Sequence, residues 1–391
     1  MAFFTVHHTS KKSGSSARLA TIETAHGSIQ TPAFVSVGTK GTLKGISPLQ
    51  AHAFGVQASF VNTYHLVVHP GPQAIADAGS IHAWSGMKWP LMSDSGGFQI
   101  FSLAGRARRG MLRDGEETIL QTLTEDLVVF RSTYNGDSIE FSPEKSMEYQ
   151  QSIGADLCMA FDECTYYPST HQYAQESMER THRRLMRCIA YTQTHHRADY
   201  SQYLYGIIQG GAFQDLREAS AQYVVAQDTP GIAIGGVSVG ESKELLREQV
   251  AWVAPYLPAN RPVHLLGVGH LDDIMDLVHH GIDTFDCVEA TRLARMGVLL
   301  QIEHLSESAT RWQFGEMDMQ STSFHSNNEY LFDPYITERD SHEFGFVTKS
   351  FLHHLFKQKE LLGYTIATIY NLTVMEHFMR RIREEIQNNA I

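Results

Sequence analysis

Gly281–Gly297 reads GIDTFDCVEATRLARMG. A short apolar run through Ile282, Thr284 and Phe285 ends in one carboxylate, Asp286, and two arginines follow three apart, Arg292 and Arg295. A strand that delivers a carboxylate to its end, followed by a loop or helix that opens with guanidinium groups, places an anion beside two phosphate-binding donors. That arrangement suits a nucleophilic or charge-stabilising carboxylate acting on a phosphate-bearing substrate. The competing reading is an Asp286 that caps a helix, with solvated arginines. Both stay open on this stretch alone.

Working outward, the same alternation recurs. Short runs rich in β-branched and aromatic residues lie at Ala33–Val37, Ser59–Asn62, Pro90–Ser93, Leu157–Phe161, Leu204–Ile208, Ile232–Ile234, Val263–Leu266 and Thr284–Phe285. Helical spacing fills most of the gaps: Leu246, Val250, Val253 and Leu257 recur at i, i+4, i+7 and i+11, and Leu271, Ile274 and Val278 at i, i+3 and i+7. Ser47 and Ser242 are candidate N-caps. Eight strands alternating with helices imply a parallel sheet closed into a (β/α)8 TIM barrel, with an open doubly wound sheet as the alternative. Arg18–Gln30 reads as an N-terminal hairpin, and 111–143, with Asn135-Gly136 as a turn signal, as an inserted set of β-hairpins. The rhythm stops after Leu300. Residues 305–346 read as polar and irregular, followed by helices near Val347–Leu362 and Thr365–Ile386. The expected organisation is a barrel over 1–304 and a C-terminal helical subdomain over 305–391.

In such a barrel, chemistry collects at the C-terminal ends of the strands. Those ends carry Asn62, Asp94, Asp162, Gln209, Gly236, Gly267 and Asp286. One residue at a strand end is usually a cap or turn former, but three carboxylates, two amides and several glycines on one face outweigh that reading. The run Ser93–Gln99 puts Asp94 before two glycines, which admit a planar ligand that Phe98 could stack on; a tight turn with a buried Phe is the bland reading. Asp162 could accept hydrogen bonds from a guanidine-like edge; taken alone, Asp162 or Glu163 reads first as a cap of the next helix. Gln209 offers both donor and acceptor. Gly235–Glu241 exposes backbone groups without GxGxxG spacing, so it is not read as a dinucleotide site. Together Asp162, Gln209 and the Gly236 backbone suit the hydrogen-bonding edge of a purine-like base.

The chain has 391 residues, 42% hydrophobic, with a formal net charge of −12. That charge repels nucleic acid globally, so an RNA-binding role needs a local basic patch. Arg106, Arg108 and Arg109, with Arg113, supply one; Lys40 and Lys44 are weaker candidates. The four cysteines, Cys158, Cys164, Cys188 and Cys287, form no CxxC pair, which fits reduced thiols in a cytoplasmic protein. No apolar run is long enough to span a membrane, and MAFFTVHHTSKKSG lacks the pattern of a secretory leader.

SDSGGFQ, FDEC, GIIQGG, AIGG-x-x-x-GE, HLLGVG and GID-x-FDCV-x-x-TR, in this order and spacing, resemble the tRNA-guanine transglycosylase family. The resemblance runs from Phe34 to Arg295 and resumes weakly in the last two helices. It implies a (β/α)8 barrel and a pentosyltransferase that exchanges the anticodon wobble guanine of tRNA for a 7-deazaguanine. By position, Asp286 matches the nucleophile that attacks ribose C1′ and Asp94 the general acid/base. Asp162, Gln209 and Gly236 match base recognition, and Phe98 and Leu266 the pair that sandwiches the base. Arg292 and Arg295 match anticodon contacts. Val239 and Cys164 resemble the bacterial pattern and favour the smaller 7-aminomethyl base, with Glu241 near its ammonium group. The resemblance also implies a homodimer.

The sequence departs from the family at its structural zinc site. The ligand positions, C-x-C-x-x-C and a later His, are here Arg339, Ser341, Phe344 and Tyr370, and no cysteine follows Cys287. No cofactor is therefore expected; a C-terminal subdomain packed by Phe344, Phe346 and Phe351 is. His342, His353 and His354 read as surface or helix histidines before metal ligands. Near Asp286, Ala290, Leu293, Ala294 and Met296 replace the family's usual Pro, Ser, Gly and Asn. Two alternatives to an active exchange enzyme are carried: a non-catalytic partner subunit, disfavoured by retention of both Asp94 and Asp286, and a divergent relative acting on another nucleic acid or a free nucleoside.

Overall fold

The computed structural model describes residues 2–98, 120–124, 126–132, 134, 136–304, 312–335 and 342–391. Eight parallel strands close into a barrel. They are β1 (Ala33–Val37), β2 (Ser59–Val61), β3 (Leu91–Ser93), β4 (Leu157–Met159), β5 (Tyr203–Ile208), β6 (Gly231–Ile234), β7 (Val263–Leu265) and β8 (Thr284–Cys287). Each pairs with the next, and β8 closes on β1 through Phe285↔Phe34 and Asp286↔Val35. All eight lie where the β-branched runs placed them. Ser47 and Ser242 cap helices at Pro48–Ala53 and Lys243–Val253, as the spacing suggested.

Alternation within the strands sorts side chains into two cores. Val35, Phe60, Met92, Met159, Ile207 and Ala233 fill the barrel, whereas Phe34, Val61, Leu91, Cys158, Ile208 and Phe285 face the surrounding helices. The interior core is continuous with Ile22 and Ile29 of the N-terminal sheet. That sheet therefore plugs the end of the barrel opposite the strand C-termini. It has three strands, not the two of the expected hairpin: Phe4–Thr9 pairs with Arg18–Thr24, which pairs with Gly27–Thr31. Phe4–Thr9 is mostly exposed, so its sequence lacks the apolar alternation that marks a half-buried strand. Arg18 ties this sheet to the start of β8 by two hydrogen bonds to buried Asp283.

Asp156, immediately before β4, is fully buried at the same plugged end. It accepts from Leu91 N (2.9 Å), bonds His26 Nδ1 (2.7 Å) and lies 3.2 Å from His82 Nε2. Among the described residues these are the one trio of His, Cys, Asp or Glu placed to hold a metal. The 2.7 Å contact is instead a direct hydrogen bond, shorter than about 3.3 Å, the separation of two ligands around tetrahedral zinc. Burial opposes the Asp156 charge, but the His26 hydrogen bond and the nearby His82 ring outweigh it and hold the carboxyl below its usual range. A depressed carboxylate stabilises the fold at neutral pH and loses that contribution on acidification through its folded pKa. Asp156→Ala leaves the Leu91 N–H and His26 without their acceptor and is expected to cost about 1–3 kcal/mol or more, read by urea unfolding at pH 7.

The insertion is a three-stranded antiparallel sheet, Leu120–Leu123, Val128–Arg131 and Ser138–Phe141. Gly136 turns with φ +78°; Asn135 lies outside the described residues. After β8 comes a helix, Glu289–Met296, then a hairpin of Val298–His304 with Trp312–Asp318, and helices Lys349–Gln358 and Leu361–Gln387. The expectation of irregular chain over 305–346 is thus corrected for Trp312–Asp318. Its strand is held by main-chain pairing and by edge contacts of Trp312 and Phe314 with Phe378. No described helix is long and apolar enough to cross a membrane.

Candidate active site

The open end of the barrel presents the strand C-termini. Asp286 does not cap a helix: it lies within β8, and the following helix starts after Val288 without a side-chain cap. Asp286 is 8% exposed. Its Oδ1 accepts from the Gly267 N–H (3.0 Å) and faces His264 Nε2 (3.2 Å). Both contacts fall on one oxygen, which leaves Oδ2 to a ligand.

Asp94 follows β3. Its carboxylate accepts from the Asn62 amide on Oδ2 and from Thr63 N on Oδ1 (2.6 Å). Asn62 ends β2 and caps the Thr63–Val68 helix through His65 N, so one residue fixes both helix start and carboxylate. Asp94 and Asp286 therefore stand on the same barrel end, on strands separated by β1 and β2.

The base-recognition candidates meet. Gln209 Nε2 donates to Asp162 Oδ2 (2.8 Å), and Ser95 Oγ donates to Asp162 Oδ1 (3.0 Å). Burial raises the Asp162 pKa, opposed by those two hydrogen bonds. Neither Asp162 nor Glu163 caps the next helix; Thr170 does. Glu163 instead accepts from Arg180 (2.7 Å) and Tyr173 (2.8 Å). Gly97 must be glycine, because a Cβ there would sit 2.5 Å from the Asp162 carbonyl oxygen. Next to it Phe98 is 52% exposed, available for stacking rather than buried in a turn. Leu266 is half-buried against the barrel core.

Gly236 lies against the Gln209 side chain at φ +65°. Burial pushes the Cys164 thiol up to about 12, so it stays neutral. Gln209 Oε1 is buried with no hydrogen-bond partner. An orphan acceptor costs roughly 1–3 kcal/mol unless a ligand N–H fills it. A Cβ at position 236 would overlap that oxygen. Gly236→Ala is therefore expected to weaken binding of a purine-like base by about tenfold or more, measured by direct titration.

Behind this loop lies Arg217, fully buried and without a carboxylate partner. It donates to the carbonyls of Gly211 (2.7 Å), Gly235 (2.5 Å) and Gly236 (2.6 Å) and to Gln249 Oε1 (2.9 Å). Burial lowers its pKa to about 10. Val239 is half-buried, and its N–H, with that of Ser238, donates to the Glu241 carboxylate.

Arg292 and Arg295 lie on the helix directly after Asp286, three residues apart on one face. Arg292 is exposed, and Arg295 donates to Thr291 O (2.7 Å). The Lys44 ammonium is held below its usual range by burial, then by Arg295 and Lys40. Burial and the same two lysines lower His65. Mutual repulsion among these cations is relieved by a polyanion. Arg106, Arg108, Arg109 and Arg113 lie outside the described residues, as do Arg339 and Ser341.

The helix carrying Arg292 is clamped from the far end of the chain. Buried Asn371 donates to Ala290 O (2.9 Å) and Val298 O (3.1 Å) and accepts from Leu300 N (2.9 Å). Its neighbour Tyr370 is buried edge-on to Phe332 and Tyr335. Phe344 is buried and Phe351 half-buried; Phe346 is 61% exposed and reaches this subdomain only through its ring contact with Phe351 (centroids 6.3 Å), while Phe332 and Tyr335 pack around Tyr370. His353 Nδ1 is hydrogen-bonded to Met319 O (2.8 Å).

Sequence reading left His264, Arg217 and Asn371 without roles and gave Asn62 only a place at a strand end. The one signal available was strand alternation, which sets His264 on the same face as Leu266.

A protein-family model described as "Queuine tRNA-ribosyltransferase" matches residues 12–391. The chain is 41% identical over 374 residues to the queuine tRNA-ribosyltransferase of Prochlorococcus marinus strain MIT 9303, covering 96% of this chain and 91% of that one. It is 39% identical over 381 residues to that of Herpetosiphon aurantiacus, covering 97% and 88%. Against that of Bacillus subtilis strain 168 it is 37% identical over 375 residues, covering 96% and 90%.

Proposed function

The chain belongs to the queuine tRNA-ribosyltransferase family, a family of tRNA-guanine transglycosylases, and from that premise we propose how its residues carry out the exchange. The substrate is the wobble guanosine of a tRNA anticodon, turned out of its loop stack to enter the barrel mouth. Asp286 Oδ2 bonds to ribose C1′ as the bond from C1′ to guanine N9 breaks, and the departing base takes a proton from Asp94. An incoming 7-deazaguanine then loses its N9 proton to Asp94 and bonds to C1′, and the Asp286 carboxylate leaves. Two carboxylates and a covalent sugar ester follow the logic of retaining glycoside hydrolysis.

The observation that carries this reading is the one-sided hydrogen bonding of Asp286. Its Oδ1 is held and its Oδ2 is available at the strand end that precedes two arginines. Asp162, Gln209 and Gly236 hold the base edge, with the unpartnered Gln209 Oε1 as acceptor for a ring or amino N–H. Phe98 and Leu266 enclose its faces. Arg292 and Arg295, with Lys40, Lys44 and the Arg106, Arg108 and Arg109 stretch, take the phosphates. Val239 and Cys164 favour the small aminomethyl base. Its ammonium would compete with the Ser238 and Val239 N–H groups for Glu241. A cytoplasmic homodimer completes the proposal.

We further propose that the C-terminal subdomain, 305–391, holds no structural zinc. Phe344 and Tyr370 at two of the ligand positions are buried, Tyr370 among aromatic rings, and offer no zinc-binding atom of the usual kind. Elemental analysis of the purified protein is expected to find less than about 0.1 zinc per chain; stoichiometric zinc would overturn the proposal.

The exchange reading is tested with radiolabelled guanine and tRNA, using wild type, Asp286→Ala and Asp94→Ala. Label enters RNA only with wild type if the assignment is right. Label entering with Asp286→Ala would remove the nucleophile's role. No exchange by pure wild type would favour the partner-subunit or divergent-substrate reading.

A further inference from the structure

His264 is the central residue of β7, fully buried, and its register partner on β8 is Thr284. Strand alternation turns both side chains, with that of Asp286, into the barrel. There the imidazole stacks near Phe60, ring centroids 5.7 Å apart, and bridges two groups: Nδ1 is 2.9 Å from Thr284 Oγ1 and Nε2 is 3.2 Å from Asp286 Oδ1. A carboxylate oxygen brings no proton, so the hydrogen of the second contact sits on Nε2. In the neutral ring Nδ1 is then an acceptor, and the Thr284 hydroxyl donates to it. The chain Thr284 O–H to His264, then His264 N–H to Asp286, fixes one tautomer and one ring orientation. With the Gly267 N–H it supplies both hydrogen bonds on Asp286 Oδ1.

We propose that His264 is a positioning residue, locked by Thr284, that aims the Asp286 carboxylate so that Oδ2, not Oδ1, meets the sugar carbon. The proposal rests on Asp286 being the nucleophile. A carboxylate held by Gly267 alone can swing about that single bond, and nucleophile and carbon then share the near-attack geometry less often. The loss falls on bond formation, because the hydrogen bonds of His264 run to Thr284 and Asp286 and, among the described residues, to none of the base-edge residues or arginines.

The test uses the full-length protein, with four variants beside wild type: Asp286→Asn, His264→Phe, His264→Gln and Thr284→Val. His264→Phe fills the volume without either nitrogen. His264→Gln retains an amide N–H that can reach Asp286. Exchange kinetics with labelled guanine and tRNA give kcat and KM for each, and thermal unfolding confirms that each is folded. His264→Phe is expected to lower kcat by about 10–100-fold with both KM values within about twofold of wild type. His264→Gln is expected to recover most of that loss, and Thr284→Val to lose about three- to tenfold. Wild-type kcat in a folded His264→Phe, or equal losses in the Phe and Gln variants, would overturn the proposal while leaving the exchange reading intact. Wild type that exchanges no label, or Asp286→Asn that exchanges at the wild-type rate, would overturn both.

Discussion

Asp286→Asn is expected to lower base exchange by about ten-thousandfold or more, the scale of loss when a covalent nucleophile is removed. The amide keeps the shape of the carboxylate and both donors on its oxygen, from Gly267 and His264, can still be satisfied. The fold and the RNA-binding surface are therefore spared, and the loss is chemical. A denaturing gel of enzyme mixed with tRNA separates this from weakened binding. Wild type is expected to yield a slow-migrating RNA–protein band when the leaving base is removed, and Asp286→Asn none. Tight RNA binding by the variant in a filter assay completes the expected result. A covalent band of wild-type intensity from Asp286→Asn would assign the bond to another residue.

Asp94→Asn is the second large effect, about a hundred- to ten-thousandfold in kcat, the range for one general acid/base. Here the amide is not a silent replacement. Asp94 accepts on both oxygens, from Asn62 and from Thr63 N. An amide presents one oxygen and one NH2, so one of those two donors meets a donor. The side chain must rotate, and Asn62, which also caps a helix, is disturbed with it. The expected signature is a loss in kcat with a modest fall in stability of about 1–3 kcal/mol. Chemical denaturation together with exchange kinetics reads both. A variant with full exchange would move proton handling to another group.

The barrel was legible because its signal is local. Each of the eight strands is a short apolar run, most of them with β-branched or aromatic residues, and parallel pairing buries both faces, so the runs stand out. Phe4–Thr9 and Trp312–Asp318 are antiparallel with one face in solvent, and their polar residues masked them. The site divides along the same line. Asp94, Asp162, Gln209, Gly236 and Asp286 occupy strand ends, which sequence can locate. Arg217 and His264 act from positions defined by another element: a helix packed behind a loop, and one strand's register against its neighbour. An arginine in QDLREAS reads as a solvated helix residue until three carbonyls are found around its guanidinium. His264 sits inside a motif that was read whole, but its role depends on the His264↔Thr284 pairing, which no single stretch encodes. Asn371 reaches residues about eighty positions earlier, beyond any local pattern.

That reach has a consequence for the order in which the molecule becomes competent during synthesis. Both carboxylates, the base-edge residues and the two arginines have all left the ribosome well before Asn371, 81 residues after Ala290, is made. A nascent chain at that stage owns every candidate residue of the site named above but lacks the amide that ties the arginine-bearing helix to the strand pair behind it. The clamp on that helix is thus among the last contacts the chain can make.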